Sequence, residues 1–478
     1  MKAIAHYLIN RRNFLISMLL ICFLFVAPEA NAKPLDFNGG VQNEYLYEEV
    51  FFLTGTPIKF TGKMKMSEKE NKDKVTTTYQ FTLTNGTNNS NKLNRSISFE
   101  TTLSKREDKG QTTSETKIKS YSEKVTINKT TYSLDDYQFS QSSVIDNRPA
   151  SDYYSGNVVG RKIYKVNKDE LITVHVNGRN VGYKNFWGAT ETQLIDYEII
   201  SNRGRAYITS RVSDSKSKTL HYEPHDPVLS SFTGGHIETI RSGIIGEYTY
   251  DIPYGSGKGT IELSKENVPS IKRLIVPKFR DLAKHPAKSE IERLYSLGIF
   301  DESSKFFSPN TTMTRYDFMV GVLKAINLRV LEEPQKNKQV VPKKSIYKDM
   351  NVKDPNYLLI ENAVKKGVIT GATNGYFKPK DPITRVQAAA ILVSALGMED
   401  RAPNPGYQLS FVDKKDIPNW AKDSVYVAEG IGLMTDRNNY FKPNEKMTRA
   451  QASQLLIVFL NFLENDLKKN YRDDVLFY

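Results

Sequence analysis

The stretch that decides the architecture runs Tyr347-Lys348-Asp349, then Gly367-Val368-Ile369-Thr370-Gly371, Tyr376-Phe377-Lys378-Pro379 and Thr384-Arg385-Val386-Gln387. An aromatic-x-Asp opens it, Phe-x-Pro interrupts it, and Thr-Arg starts a run with helical spacing. The same order appears upstream, from Phe279-Arg280-Asp281 through Phe307-Ser308-Pro309 to Thr314-Arg315. It appears again downstream, from Phe411-Val412-Asp413 through Phe441-Lys442-Pro443 to Thr448-Arg449. From opening to Thr the intervals are 35, 37 and 37 residues. Recurrence this regular is the mark of one supersecondary unit used three times.

Each Thr-Arg step fits a capping box: Thr314 with Asp317, Thr384 with Gln387 and Thr448 with Gln451. The hydroxyl accepts from the amide three residues on, and the side chain there reaches back to the Thr amide. The Pro before each cap keeps the preceding residue out of the helix. Arginine just inside the cap is out of place, because the helix dipole prefers an acid there by roughly 0.3–1 kcal/mol. Three such arginines imply a partner. One option is an ion pair with the opening Asp of the same or a neighbouring repeat. The other is an external carboxylate or phosphate held by the planar guanidinium and the helix-start amides.

Outside the repeats, residues 33–270 read as β structure. Thr76–Leu83, Ser96–Leu103, Leu171–Val176, Gln193–Ile200 and Arg205–Val212 alternate apolar and polar residues, with turn signals at Asn85-Gly86, Asn177-Gly178 and Asn202-Arg203-Gly204. The pattern predicts an antiparallel sandwich or barrel, with a division into two subdomains near Asp146-Asn147-Arg148-Pro149 equally allowed. The polar stretches 63–75 and 104–124 read as solvated hairpins.

At 478 residues with 39% hydrophobic content, the chain is long enough for several packed domains. Lys2, Arg11 and Arg12, the apolar run Phe14–Val26 and Ala30-Asn31-Ala32 form a signal-peptide pattern, 1–32, cleaved to leave Lys33 first. No later stretch is long and apolar enough to span a bilayer. The only cysteine, Cys22, sits in that signal, so the exported chain has no disulfide or thiolate chemistry. The formal charge of +13 suits anionic glycans, membranes or nucleic acid alike, and export makes nucleic acid the poorest fit.

The triplicate resembles the S-layer homology (SLH) domain, whose pattern also includes Trp-Ala and Gly-Ile-x-x-Gly. The second copy is nearly complete. The third has Trp420-Ala421 and Gly430-Ile431, with Met434 at the expected second glycine. The first has His285-Pro286 for Trp-Ala, Glu302 for that glycine and Tyr316-Asp317 for Ala-Glu. The resemblance divides the chain into repeats at 277–328, 346–400 and 410–465, a linker at 329–345 and a tail at 466–478. It implies an all-α, pseudo-threefold trimer of repeats with ligand grooves between neighbours. Such trimers fix proteins non-covalently to Gram-positive envelopes by binding secondary cell wall polysaccharide that carries pyruvate ketals. Carried over by motif, Arg315, Arg385 and Arg449 pair with the ketal carboxylate. Asp281, Asp349 and Asp413 take sugar hydroxyls or orient the arginines. Trp420 lines a groove, Gly367 and Gly371 let backbone approach the glycan, and Gln387 and Gln451 complete the set.

The β half offers less chemistry. His221, His225 and His236 with Glu238 are the only metal-like cluster, but Pro224 and Pro227 disfavour a shared helix face, so loop histidines are expected and no metal. Neither a serine-hydrolase elbow, a His-Glu-x-x-His nor a phosphate loop occurs, and no cofactor is implied. Tyr153-Tyr154, Phe186-Trp187 and Tyr248 with Tyr250 could form an aromatic sugar platform, though core or cross-strand pairs are commoner at that spacing. The sequence therefore predicts a wall-anchored, non-catalytic structural or adhesive module. The alternative is an anchored hydrolase acting on wall polysaccharide or peptide.

Overall fold

A computed structural model describes residues 37–106, 110–167, 169–223, 235–274, 276–301, 303–326, 344–369, 375–403, 406–434 and 438–465. The expected signal, the linker from 327 to 343 and the tail beyond 465 lie outside the described residues.

The amino-terminal half is one antiparallel meander. Strands β1 (Val41–Gln42) through β13 (Gly257–Glu266) pair in sequence order, each with the next. A last strand, β14 (Ser270–Leu274), pairs with the start of β12 (Gly235–Ile252). The sheet curls until its edges approach, giving a nearly closed barrel. Asn43 Nδ2 donates to the Glu266 carbonyl at 3.3 Å, and Lys265 pairs with Glu48 at 2.9 Å. Closure of this kind covers edge strands that would otherwise template aggregation.

The sandwich alternative and the division near Pro149 are both overturned. Strands β7 (Thr130–Asn147) and β8 (Ser151–Val166) form one continuous hairpin across that point. Antiparallel neighbours with short turns need no crossover, so nothing in the topology separates the two halves.

Inside the barrel, Tyr47, Phe60, Phe81, Leu83, Leu93, Val158, Ile195 and Tyr248 form a sealed apolar core. A cluster of charged residues is buried with them. Arg95 lies 2.6 Å from Glu49 and 2.7 Å from Glu123, and the Tyr47 and Tyr164 hydroxyls donate to the two carboxylates. Burial pushes the Glu123 carboxyl up, but Arg95 outweighs it and holds the group below its usual value. Buried charges persist only when paired and hydrogen-bonded this completely.

The carboxy-terminal half is helical: α1 (Lys288–Ser296), α2 (Arg315–Ala325), α3 (Tyr357–Lys365), α4 (Arg385–Leu396), α5 (Lys422–Gly430) and α6 (Arg449–Asn465). It is not purely helical. Three isolated β-bridges, Thr314 with Pro382, Thr384 with Lys446 and Thr312 with Thr448, link the segments before α2, α4 and α6. Each repeat bridges the next, and the third returns to the first.

The two halves are packed, not merely tethered. Asn185 Oδ1 accepts from the amides of Trp187 and Gly188, both at 2.9 Å, which shapes the turn between β9 (Glu170–Asn185) and β10 (Gly188–Ser201). That turn inserts Trp187, 0% exposed, into the same apolar cluster as the helices. Asn185 Nδ2 reaches the Leu463 carbonyl on α6 at 3.1 Å. Pro149 lies against the glycine that ends α4, Gly397.

Candidate functional site

The site is built from the Phe-x-Pro loops. Asp413 accepts from the amides of Phe441 at 2.8 Å and Lys442 at 2.7 Å. Asp349 does the same for Phe377 (2.8 Å) and Lys378 (2.7 Å), and Asp281 for Phe307 (3.0 Å) and Ser308 (2.7 Å). The second residue of each pair is left-handed, with φ of 58° at Ser308, 55° at Lys378 and 56° at Lys442. Left-handed backbone at a residue with a Cβ costs about 1–2 kcal/mol, and the bidentate carboxylate holds it there. Burial pushes the Asp281 carboxyl up, yet the two amides hold it below its usual value.

The arginines approach the same loops from the preceding repeat. Arg385 Nε donates to the Phe441 carbonyl at 2.7 Å, and its guanidinium lies 5.6 Å from that ring's centroid. Arg449 Nε donates to the Phe307 carbonyl at 2.9 Å and sits 4.5 Å over that ring. Arg315 stands 5.6 Å over Phe377. Backbone bonds follow the same cycle, with Arg315 N donating to Asp381, Arg385 N to Glu445 and Arg449 N to Thr311. The ion pair with the opening Asp, one of the two options for these arginines, is not what these contacts form. At Phe441 and Phe307, Asp holds the phenylalanine amide and Arg its carbonyl, whereas Arg315 meets Phe377 at its ring.

All three guanidinium groups are half-buried, but their surroundings differ. Arg449 has the Asp317 carboxylate 3.7 Å away. Burial lowers the Arg315 pKa. Arg385 has no carboxylate within ion-pair distance among the described residues, which leaves the Nη edge of a half-buried cation without a counter-ion there.

The caps differ between copies. Thr448 and Gln451 make the full reciprocal box. Thr384 N donates to Gln387 Oε1 at 3.2 Å. In the first copy Thr314 Oγ1 accepts from the Asp317 amide and donates to its carboxylate. Gln387 and Gln451 thus spend a side-chain oxygen on the helix start.

Two alignments made from sequence are corrected. Gly298, Gly367 and Gly432 share φ of 71–73°, and their amides bond three residues back, to Tyr295, Val364 and Glu429. The following amides, of Ile299, Val368 and Leu433, reach five residues back. This is one helix-ending geometry, so Gly432 rather than Gly430 matches Gly367. Met434 then occupies the place of Ile369, and Asp436 that of Gly371. Gly371, Asp436 and Glu302 lie outside the described residues. By the same offset Pro286-Ala287 stands opposite Trp420-Ala421, with both alanines buried before α1 and α5. A Cβ on Gly367 would meet nothing within 4 Å, so a left-handed turn, not close approach, requires that glycine.

Trp420 is 63% exposed at the start of α5, free to meet a ligand. Three further aromatics stand out of the surface one residue before each Phe-x-Pro: Phe306, Tyr376 and Tyr440. Their doubled-aromatic signature was visible in the sequence, where only the second ring of each pair was used. Tyr316, the substitution peculiar to the first repeat, donates to Asp354 at 2.6 Å and accepts from Asn356, tying α2 to the second repeat.

The histidines do not gather. Tyr222 pairs with His236 across β11 (Gly204–Glu223) and β12, so His221, one residue along, faces the opposite side. His225 lies outside the described residues. The aromatic platform is not formed either, since Trp187 and Tyr248 are fully buried.

The S-layer homology domain model matches residues 278–319, 346–389 and 410–453. An endoglucanase of Bacillus sp. is 31% identical over 160 residues, 33% of this chain and 16% of that protein. An amylopullulanase of Thermoanaerobacterium thermosulfurigenes is 27% identical over 253 residues, 52% of this chain and 12% of that protein. The S-layer protein EA1 of Bacillus anthracis is 27% identical over 176 residues, 36% and 19% of the two chains. The chain thus spans less than a fifth of these relatives' length. Its carboxy-terminal part carries three S-layer homology domains, which mark a cell-wall-anchored protein of the Gram-positive surface. Among the described residues no helix is long and apolar enough to cross a membrane.

Proposed function

We propose that the three domains form a pseudo-threefold unit whose inter-repeat grooves bind a secondary cell wall polysaccharide through its pyruvate-ketal carboxylates. The barrel is then a non-catalytic structural or adhesive module held at the wall. The observation that carries this reading is Arg385, a half-buried guanidinium fixed at Nε with no carboxylate partner among the described residues. A bidentate carboxylate is the ligand such a fork favours. Arg449, paired with Asp317, and Arg315 occupy the equivalent placements over Phe307 and Phe377. Asp281, Asp349 and Asp413 act by fixing the loops, while Trp420, Tyr376 and Tyr440 supply exposed rings for the sugar faces.

The test is pull-down of the protein with native and de-pyruvylated wall polymer. The native polymer is expected to bind, and the stripped polymer or an Arg385→Ala, Arg449→Ala double variant to bind far less. Equal capture in all three cases would overturn the carboxylate reading. Release of reducing sugar from purified walls would overturn the non-catalytic assignment.

A further inference from the structure

The seam between barrel and helices holds a buried histidine. His236 lies at the start of β12 and is 8% exposed. Its Nδ1 is 3.1 Å from Ser296 Oγ, at the end of α1. Ser296 donates its own proton to the Glu292 carbonyl at 2.9 Å, so the imidazole is the donor in this contact. A second proton has to enter at Nε2, on a ring already taken out of water. Tyr222, opposite His236 on β11, packs on the imidazole in a T-shaped contact at 5.3 Å between centroids.

The charges around the ring decide what that proton meets. Two-residue alternation puts Lys218 of β11, Glu238 of β12 and Lys272 of β14 on the face His236 occupies, while Glu223 and Arg273 turn to the other. Glu238 is 3.7 Å from Lys218, and on α1 the Glu292 carboxylate is 3.8 Å from Lys288. Arg293, also on α1, is the cation that acts on the imidazole. It is held in place, since it donates to Asn461 at 3.0 Å and Glu464 at 3.3 Å on α6 and lies 5.7 Å from the Trp187 ring. Burial holds the His236 pKa below its usual value, and Arg293 adds to that shift.

We propose that His236 is an acid-sensitive latch, whose neutral ring seats the barrel against the first helix of the anchor and whose protonation loosens that seat. The contribution of the neutral ring is complete above the unfolded value of 6.5 and is lost as pH falls below it. The arginines of the repeat grooves keep their charge throughout this range. The latch therefore does not depend on what those grooves bind.

The experiment compares the full-length protein with His236→Gln, whose amide can donate to Ser296 but does not titrate. Urea midpoints are measured for both at pH 7.5 and pH 5.5. The unaltered chain is expected to lose more on acidification than the variant, and groups that titrate elsewhere cancel in the comparison. An imidazole titration of the unaltered chain by NMR is expected to place His236 below 6.5. Hydrogen exchange at pH 5.5 is expected to show protection falling further in α1 and the Trp187 turn than in the barrel core. Should His236→Gln fail to fold, Arg293→Gln takes its place and is expected to raise the His236 titration point. Equal losses in both chains, titration of His236 at or above 6.5, or a uniform fall in protection would overturn the proposal.

Discussion

Arg385 and Phe441 belong to different repeats, yet the arginine holds the phenylalanine by both its carbonyl and its ring, 2.7 Å from the first and 5.6 Å from the centroid of the second. The stem and Nε are thereby committed to the protein. Only the outer edge of the fork is left for a ligand. Lysine has no Nε and no fork, so Arg385→Lys is expected to lose wall-polymer affinity by about tenfold or more, as Arg385→Ala would. Co-sedimentation with purified walls measures this, and retained binding by the lysine variant would contradict it.

Asp413 acts on the same peptide from the other side. Asp413→Ala leaves the amides of Phe441 and the left-handed Lys442 without their acceptor. It is expected to destabilise the protein by about 1–3 kcal/mol and to weaken wall binding through displacement of Arg385's anchor. Urea midpoints and co-sedimentation, run together, check both halves. Asp281 adds a pH dependence. Its carboxyl sits below its usual value, so its contribution is present above the unfolded pKa and is lost as pH falls through the folded one.

Trp187 couples the barrel to the helices. Trp187→Ala is expected to cost about 3–5 kcal/mol and to split a single calorimetric transition into two, as the halves lose their shared core. A single unshifted transition would count against that coupling.

Glu191 lies on the inner face beside Gln193, partly buried. Burial pushes its carboxyl up to about 7, Asp214 adds to the shift, and the Asn180 amide opposes it. The neutral form is thus favoured in the fold. Its contribution is complete below the unfolded value of 4.5 and is lost as pH rises through about 7. Glu191→Gln is expected to remove this slope and to raise stability at pH 8 by up to roughly 3 kcal/mol. Melting curves at pH 5 and pH 8 decide the matter.

The repeats were legible because their signals are local. Caps, the Phe-x-Pro break and the helix-ending glycine are each set by a few neighbouring residues. What the Asp and Arg hold was not legible, since Asp413 and Arg385 meet Phe441 across 28 and 56 residues of sequence. Two glycines in Gly430-Ile431-Gly432 hid the register, and only the sign of φ at Gly432 chose between them. In the β half, alternation announced strands but could not distinguish a sandwich from a barrel, because both bury one face of every strand. Trp187 read as a sugar-platform candidate. Its burial depends on helices more than a hundred residues away.

Because Arg449 returns to Phe307, the number of copies is self-limiting. A polypeptide with two copies would end in one unfilled loop and one unspent arginine, complementary surfaces that another molecule would have to satisfy. Three copies consume those surfaces within one chain. The edge that could have propagated a filament is used up internally, and any lattice this protein joins must grow from a different face.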